Sequence, residues 1–264
     1  MPSTRRKPEA PEATLRGFAE GLGLPVMGES SVKLVHGAAL TERYLLSVPA
    51  KGIAAKQAAE LVHVAVALGL EPEMADRVAT DLPLSTTLHF GFEREGERTT
   101  LKLYCEFPLA RGWDIARRAN HPMLVHRAVK WDPRDATRAA VSRYVAHPAR
   151  NVPDTAVRIR ELLGQGAPAD LALSLFSRAA GRVSAQERLF LEVEEEQSPR
   201  RSFDLKLYDA RFTTADLGPA IPGLVAFFGL DGLRVPAATL GHIAGGQGRD
   251  GKPFLTLYYG GGRA

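Results

Sequence analysis

The chain has little of several things, and each scarcity excludes something. One cysteine, Cys105, in 264 residues leaves no internal disulfide and no cysteine-built zinc cluster. No apolar run approaches the roughly eighteen residues of a membrane span. The opening stretch "MPSTRRKPEAPEAT" is polar and rich in proline, without the apolar segment of a signal peptide, so the expected location is the cytoplasm and no membrane partner is expected. There is no HExxH pair. Seven histidines are scattered, and His63, His121, His126 and His147 show no ligand spacing, so no metal site is expected. "GGQGRDGKP" lacks the Gly-Lys-Ser/Thr of a phosphate loop. Lys252 is followed by Pro253 and a strand, which makes the stretch a hairpin turn.

What is present is ordinary in bulk. Hydrophobic residues make up 45% and charged residues 24%, and the net charge is +4. That is the composition of a folded chain long enough for a sizeable core. The charge permits an anionic ligand without arguing for nucleic acid.

Along the chain, residues 1–10 are expected to be a disordered tail and 11–264 one domain. A helix is expected near 12–22, and strands at "SVKLVHGAAL" and "RYLLSVPA". "IAAKQAAELVHVAVALGL" is a helix ending at glycine. "TTLHFGFEREGERTTLKLYCEF" is a hairpin turning at Gly96. "WDIARRAN" is a short helix and "PMLVHRAVKW" a strand. The middle is expected to be helical: "PRDATRAAVSRYVAHPA", "PDTAVRIRELLGQG" and "PADLALSLFSRAAG", with "DPRD" as a helix start. A second hairpin turns at "QSPR", a helix follows in "TTADLGPAIPGLVAFFG", and a third hairpin closes the chain. Hairpins followed by helices recur as a diverged repeat, which favours antiparallel sheet covered by helices.

Strand side chains alternate between faces. Leu101, Leu103, Cys105 and Phe107 share one face, while Lys102, Tyr104 and Glu106 share the other. Leu88, Phe90 and Phe92 stand against His89, Gly91 and Glu93. Phe203, Leu205 and Leu207 oppose Asp204, Lys206 and Tyr208. Leu189, Leu191 and Val193 oppose Arg188, Phe190, Glu192 and Glu194, and Leu255, Leu257 and Tyr259 oppose Phe254, Thr256 and Tyr258. The apolar faces are expected to pack on helices. The others mix charge with rings, a pattern suited to binding: rings supply contact area and lysines neutralise an anion. The alternative is a solvated sheet face. Cys105 lies on the apolar face, as a small core residue rather than a nucleophile.

The strands "LKLY" at 101–104 and "LKLY" at 205–208, with "TLYY" at 256–259, resemble the aromatic prenyltransferases of the ABBA or PT-barrel group, in particular the dimethylallyl-tryptophan-synthase branch with its "RLKxY"-type strands. The resemblance implies an α+β fold: repeated helix–strand–strand–helix units closing an antiparallel barrel of about ten strands, with helices outside and a wet lumen. It implies transfer of an allylic prenyl group from a diphosphate to an electron-rich aromatic small molecule or peptide, in secondary metabolism. On that reading Lys102 and Lys206 hold the diphosphate, with Arg127 or Lys130 adding charge. Tyr104, Tyr208 and Tyr258 shield the cation, and Glu106, Glu192, Glu194 or His89 takes the proton. No cofactor is required; magnesium is possible, but there is no Asp-rich diphosphate box. Thr100 and Asp204 stand where the pattern has arginine. Two other readings remain: a barrel that binds a small aromatic or lipid-like ligand without chemistry, and a nucleic-acid-binding sheet. Glu106, Glu192, Glu194 and Asp204 on the Lys/Tyr faces argue against the last.

Overall fold

The computed structural model describes residues 10–109 and 112–263. The expected tail at 1–10 lies, except for Ala10, outside the described residues. Helix α1 (Pro11–Gly21) opens the described chain, with Pro11 at its first turn. Strand β1 (Met27–Val35) turns through Gly37, at φ 77°, into the short β2 (Ala38–Leu40) and then β3 (Arg43–Pro49). Helices α2 (Ala55–Ala67) and α3 (Pro72–Asp81) precede the hairpin β4 (Thr87–Glu95) and β5 (Arg98–Glu106). Gly96, at φ 59°, makes that hairpin's turn. After α4 (Trp113–Ala119) come β6 (Met123–Asp132) and β7 (Asp135–Ala146), then α5 (Val152–Leu163) and α6 (Ala167–Ala180). The hairpin β8 (Phe190–Glu195) and β9 (Arg201–Lys206) leads to α7 (Ile221–Phe228), and β10 (Leu240–Gln247) and β11 (Pro253–Arg263) complete the chain.

Every strand pairs antiparallel with its neighbours, and β11 returns to β1 from Met27↔Arg263 to Leu34↔Leu255. The sheet therefore closes, as the repeat of hairpins leads one to expect. β2 and β3 share the far edge of β1, β3 along its first half and β2 along its second, so ten strand paths make the barrel, one of them interrupted. Closure removes the sheet edges. It also removes the open Lys/Tyr face that a nucleic-acid platform would need. No helix among the described residues is long and apolar enough to cross a membrane.

The helices pack outside in two main clusters. Leu61, Ala65, Ala75 and Val78 of α2 and α3 meet Leu88, Phe90, Leu101, Leu103 and Cys105. Leu162, Leu175 and Phe176 of α5 and α6 meet Phe203, Leu205, Leu255 and Leu257. These strand residues are the apolar faces read from the alternation, and their burial is the main stabilisation of the barrel wall.

Three expectations are corrected. The stretch from 133 is not a helix but the second strand of a hairpin, β7. Its alanines suit a helix, but Thr137, Val141, Tyr144 and Val145 suit a strand, and pairing with β6 from Met123↔Ala146 to Asp132↔Asp135 decides it. "DPRD" is that hairpin's turn, where Asp132 Oδ1 accepts from the Arg134 amide at 3.0 Å. Helix α3 was not legible in the spacing. The faces of β8 are inverted: Leu189, Leu191 and Val193 look into the lumen, while Phe190 stacks on Phe203 outside at 5.4 Å.

Candidate functional site

The lumen holds two chambers that share a waist. One, of about 410 Å³, is lined by Glu29, His89, Glu106, His126, Tyr208 and His242 among others. The other, of about 480 Å³, is lined by nine Lys and Arg side chains against five Asp and Glu. Both volumes suit a small ligand. Arg43, Glu93, Lys102, Tyr104, Tyr144, Asp204 and Tyr258 border both chambers.

The basic chamber lies at the hairpin-turn end. Lys102 and Lys130 are buried at 8% and 6% exposure, and they are register partners across β5 and β6. Gly91 makes room for Lys102: a Cβ there would stand 3.1 Å from the lysine's Cβ and 3.2 Å from Leu45 Cδ1. Lys102 donates to Glu93, which also pairs with Arg43 at 2.5 Å. Burial, reinforced by Arg43 and other cations nearby, pushes the Lys102 ammonium well below its ordinary pKa. Burial and Arg200 do the same to Lys130. Burial, Arg43 and Arg200 lower Lys33 to about 8. Lys33 and Arg200 flank the Phe254 ring at 5.3 and 5.1 Å. The chamber thus gathers nine cations against five carboxylates, a surplus that a polyanion would relieve.

The waist is aromatic. Tyr104 and Tyr144 meet edge to face at 5.8 Å, and Tyr258 closes the ring from β11. Burial raises the pKa of all three, Tyr144 to about 12, so the phenols stay neutral.

The other chamber carries acids and imidazoles. Tyr208 donates to Glu29, and His242 Nδ1 lies 2.6 Å from Asp204 Oδ1. Gly241 gives the first pair its space, since a Cβ there would come within 2.5 Å of Glu29 Oε1 and of Tyr208 Cζ. Burial raises the Glu29 carboxyl, and it outweighs the opposing pull of His242 and the Tyr208 hydroxyl. Burial alone would lower His242, but the Asp204 carboxylate outweighs it and lifts the imidazole to about 9. Asp204 therefore faces an imidazolium. Burial pushes Glu106 up, yet His89, His126 and the Thr87 hydroxyl overcome it and hold the carboxyl down at about 2.

The residues expected from sequence distribute unevenly. Lys102, Tyr104, Glu106, His89, Lys206, Tyr208 and Tyr258 all line the first chamber, but only Lys102, Tyr104 and Tyr258 also border the basic one. Lys206 pairs with Asp209 at 2.8 Å, apart from the cation cluster. Tyr208 sits just past β9, on the turn that follows it. Arg127 faces the helices and grips Asp81 at 2.5 and 2.6 Å, because its neighbour His126 takes the inward phase. Glu192 also points outward, to Arg150 at 2.6 Å and Arg158 at 3.0 Å, as does Glu194's phase of the inverted strand. Cys105 is 2% exposed in the outer core, and burial raises its thiol to about 11. Lys33, Arg43, Glu29 and His242 were not singled out from the sequence. Alternation in "ESSVKLV" and "RYLLSVP" carries the signal for the first three: Val32, Leu34, Leu46 and Val48 are buried in the wall, which turns Glu29, Lys33 and Arg43 inward.

No protein-family model matches the sequence, and no characterised protein matches it by sequence. Solved structures do match. The 5-dimethylallyltryptophan synthase of Streptomyces coelicolor aligns over 95% of this chain and 90% of its own, with a TM-score of 0.61 and 17% identity. This is the PT-barrel fold. The 6-dimethylallyltryptophan synthase of Micromonospora olivasterospora aligns over 95% of both chains, with a TM-score of 0.54 and 14% identity. The prenyltransferase PriB, solved with product diphosphate, aligns over 96% of this chain and 90% of its own, at 0.59 and 14%.

Proposed function

We propose that the protein transfers an allylic prenyl group from its diphosphate to an electron-rich aromatic acceptor inside the barrel. The observation that carries this reading is the division of the lumen: a surplus of cations on one side of a tyrosine waist, and a chamber of carboxylates and imidazoles without that surplus on the other. Lys102, Lys130, Lys33, Arg43 and Arg200 take the diphosphate. As the allylic C–O bond breaks, its electron pair leaves with pyrophosphate, whose charge these preorganised cations stabilise. Tyr104, Tyr144 and Tyr258 border the allyl cation, which neutral rings tolerate and water would quench. The acceptor's π-electrons form the new C–C bond from the other chamber. The ring then loses its proton to Glu29, whose raised pKa suits a base better than a strongly acidic carboxylate would. Glu106 and His89, the bases expected from sequence, lie 3.4 Å apart on β5 and β4, where the Glu106 carboxyl is held strongly acidic.

Similar barrels support the reading: PriB was solved with product diphosphate, and also with L-tryptophan and dimethylallyl thiolodiphosphate, and the S. coelicolor synthase with DMASPP and Trp. At 14–17% identity the acceptor does not transfer from them. A cytoplasmic setting accords with the proposal. The test is incubation of the purified protein with dimethylallyl or geranyl diphosphate and a panel of indoles, phenols and aromatic peptides, followed by mass spectrometry. A product heavier by one isoprene or geranyl unit supports it. Binding of the diphosphate without product from any acceptor points instead to a barrel that only holds its ligand.

A further inference from the structure

The acceptor-side chamber contains a group that the prenyl-transfer reading leaves unused. Glu106 and His126 are register partners on β5 and β6, and His89 lies diagonally across on β4, where Thr87 is the partner of Glu106. One donor atom from each of His89, Glu106 and His126 lies within 4.8 Å of the others. His89 Nε2 stands 3.4 Å from Glu106 Oε2 without hydrogen-bond geometry. Two donors on one zinc ion, each about 2.0–2.2 Å from it at a tetrahedral angle, stand about 3.3–3.5 Å apart.

Two further features point the same way. His89 Nε2 and His126 Nδ1 are buried and lack any hydrogen-bond partner. Unpaired buried ring nitrogens are costly unless something else takes the lone pair. The other nitrogen of His89, Nδ1, is 2.7 Å from Ser47 Oγ. If Nδ1 donates there, the Nε2 lone pair faces Glu106, which is how an outer hydroxyl or carboxylate fixes a ligating imidazole.

We propose that His89, Glu106 and His126 form a zinc-class metal site in the wall of the acceptor-side chamber. Two imidazoles and one carboxylate suit zinc and its neighbours, rather than magnesium, and they leave at least one coordination position open. That position faces the lumen, since all three side chains line the chamber. It would take a lone-pair donor of the ligand, an amine or carboxylate, and so hold an acceptor against the wall formed by β4, β5 and β6. The site is separate from the cation cluster and does not depend on the prenyl-transfer reading.

The test uses the full-length protein stripped of metal and titrated with cobalt(II), then competed with zinc. One equivalent of cobalt should bind and give the intense visible bands of a tetrahedral or five-coordinate site, which zinc then abolishes. His126→Ala and Glu106→Gln should each weaken binding at least ten-fold, and Ser47→Ala by about ten-fold through the His89 ring. His121→Ala, an exposed histidine elsewhere, should change nothing. Thermal melts of each variant distinguish loss of the site from loss of the fold, and Glu106→Asp should retain measurable binding. Absence of a stoichiometric cobalt spectrum in the folded wild-type protein, or equal affinity in folded His126→Ala, overturns the proposal.

Discussion

Lys102 and Lys130 stand directly opposite each other on β5 and β6, both buried in the lumen. Like charges at facing positions of an antiparallel pair destabilise a sheet, and burial sharpens the cost. A fold keeps such a pair where an anion offsets it in the working state. Lys130→Met should therefore leave the ligand-free protein as stable as the wild type or more so, while lowering affinity for inorganic pyrophosphate about ten- to a hundred-fold, the loss of one charge-assisted contact. Denaturant melts and calorimetry on the same variant check both halves.

The depressed lysines make stability depend on pH with a defined sign. Lys33 falls from 10.5 to about 8 in the folded chain. Between those values the unfolded chain binds the extra proton, so stability should rise as pH rises from about 8 toward 10.5. Lys102 and Lys130 are lowered too and act in the same direction. Saturating pyrophosphate holds these ammonium groups charged and should flatten the rise. Urea melts from pH 7.5 to 9.5, with and without pyrophosphate, measure it; an identical slope in both series would remove the lysines from the anion site.

Glu29 should set the acid limb of turnover. Its raised pKa places loss of the base form above the ordinary carboxylate range, so kcat should increase with pH through that limb. Glu29→Gln should lower kcat by about 10²–10⁴ and abolish the limb. Tyr208→Phe removes a hydrogen bond that lowers the Glu29 pKa, so its limb should move to higher pH. A full pH–rate profile for the three proteins decides.

Gly241 is the space reserved for the Glu29–Tyr208 pair. A methyl group there meets Glu29 Oε1 and Tyr208 Cζ at 2.5 Å. Gly241→Ala should cost about 1–3 kcal/mol of stability, as overpacking does, and turnover should fall with the displaced Glu29. Denaturation together with steady-state kinetics reads out both effects.

Where the sequence alternates strictly and one face is clearly apolar, the wall could be read before the structure. Leu101, Leu103 and Cys105 against Lys102, Tyr104 and Glu106 is such a case. β8 defeats the rule because both faces are half apolar: Phe190 serves the outer core, the leucines serve the lumen, and Arg150 and Arg158 accommodate Glu192 outside. β7 was hidden by its alanines, since propensity favours a helix where tertiary pairing with β6 imposes a strand. The cation cluster was only partly legible. Lys102 and Lys130 are 28 positions apart, and Lys33 and Arg43 come from the other end of the chain. Only barrel closure, β1 on β11, makes them neighbours. Lys206 shares its motif with Lys102 but not its end of the lumen, because a local repeat does not fix how far along the barrel each copy sits.

The basic chamber's proposed ligand is an allylic diphosphate. Calorimetric titration of dimethylallyl diphosphate into the wild-type protein and into the Lys102→Met/Lys130→Met double variant tests this most directly. The predicted result is one site per chain in the wild type, with affinity reduced by at least a hundred-fold in a double variant that melts as a folded protein. Absence of binding to the wild type, or equal binding by both proteins, would contradict it.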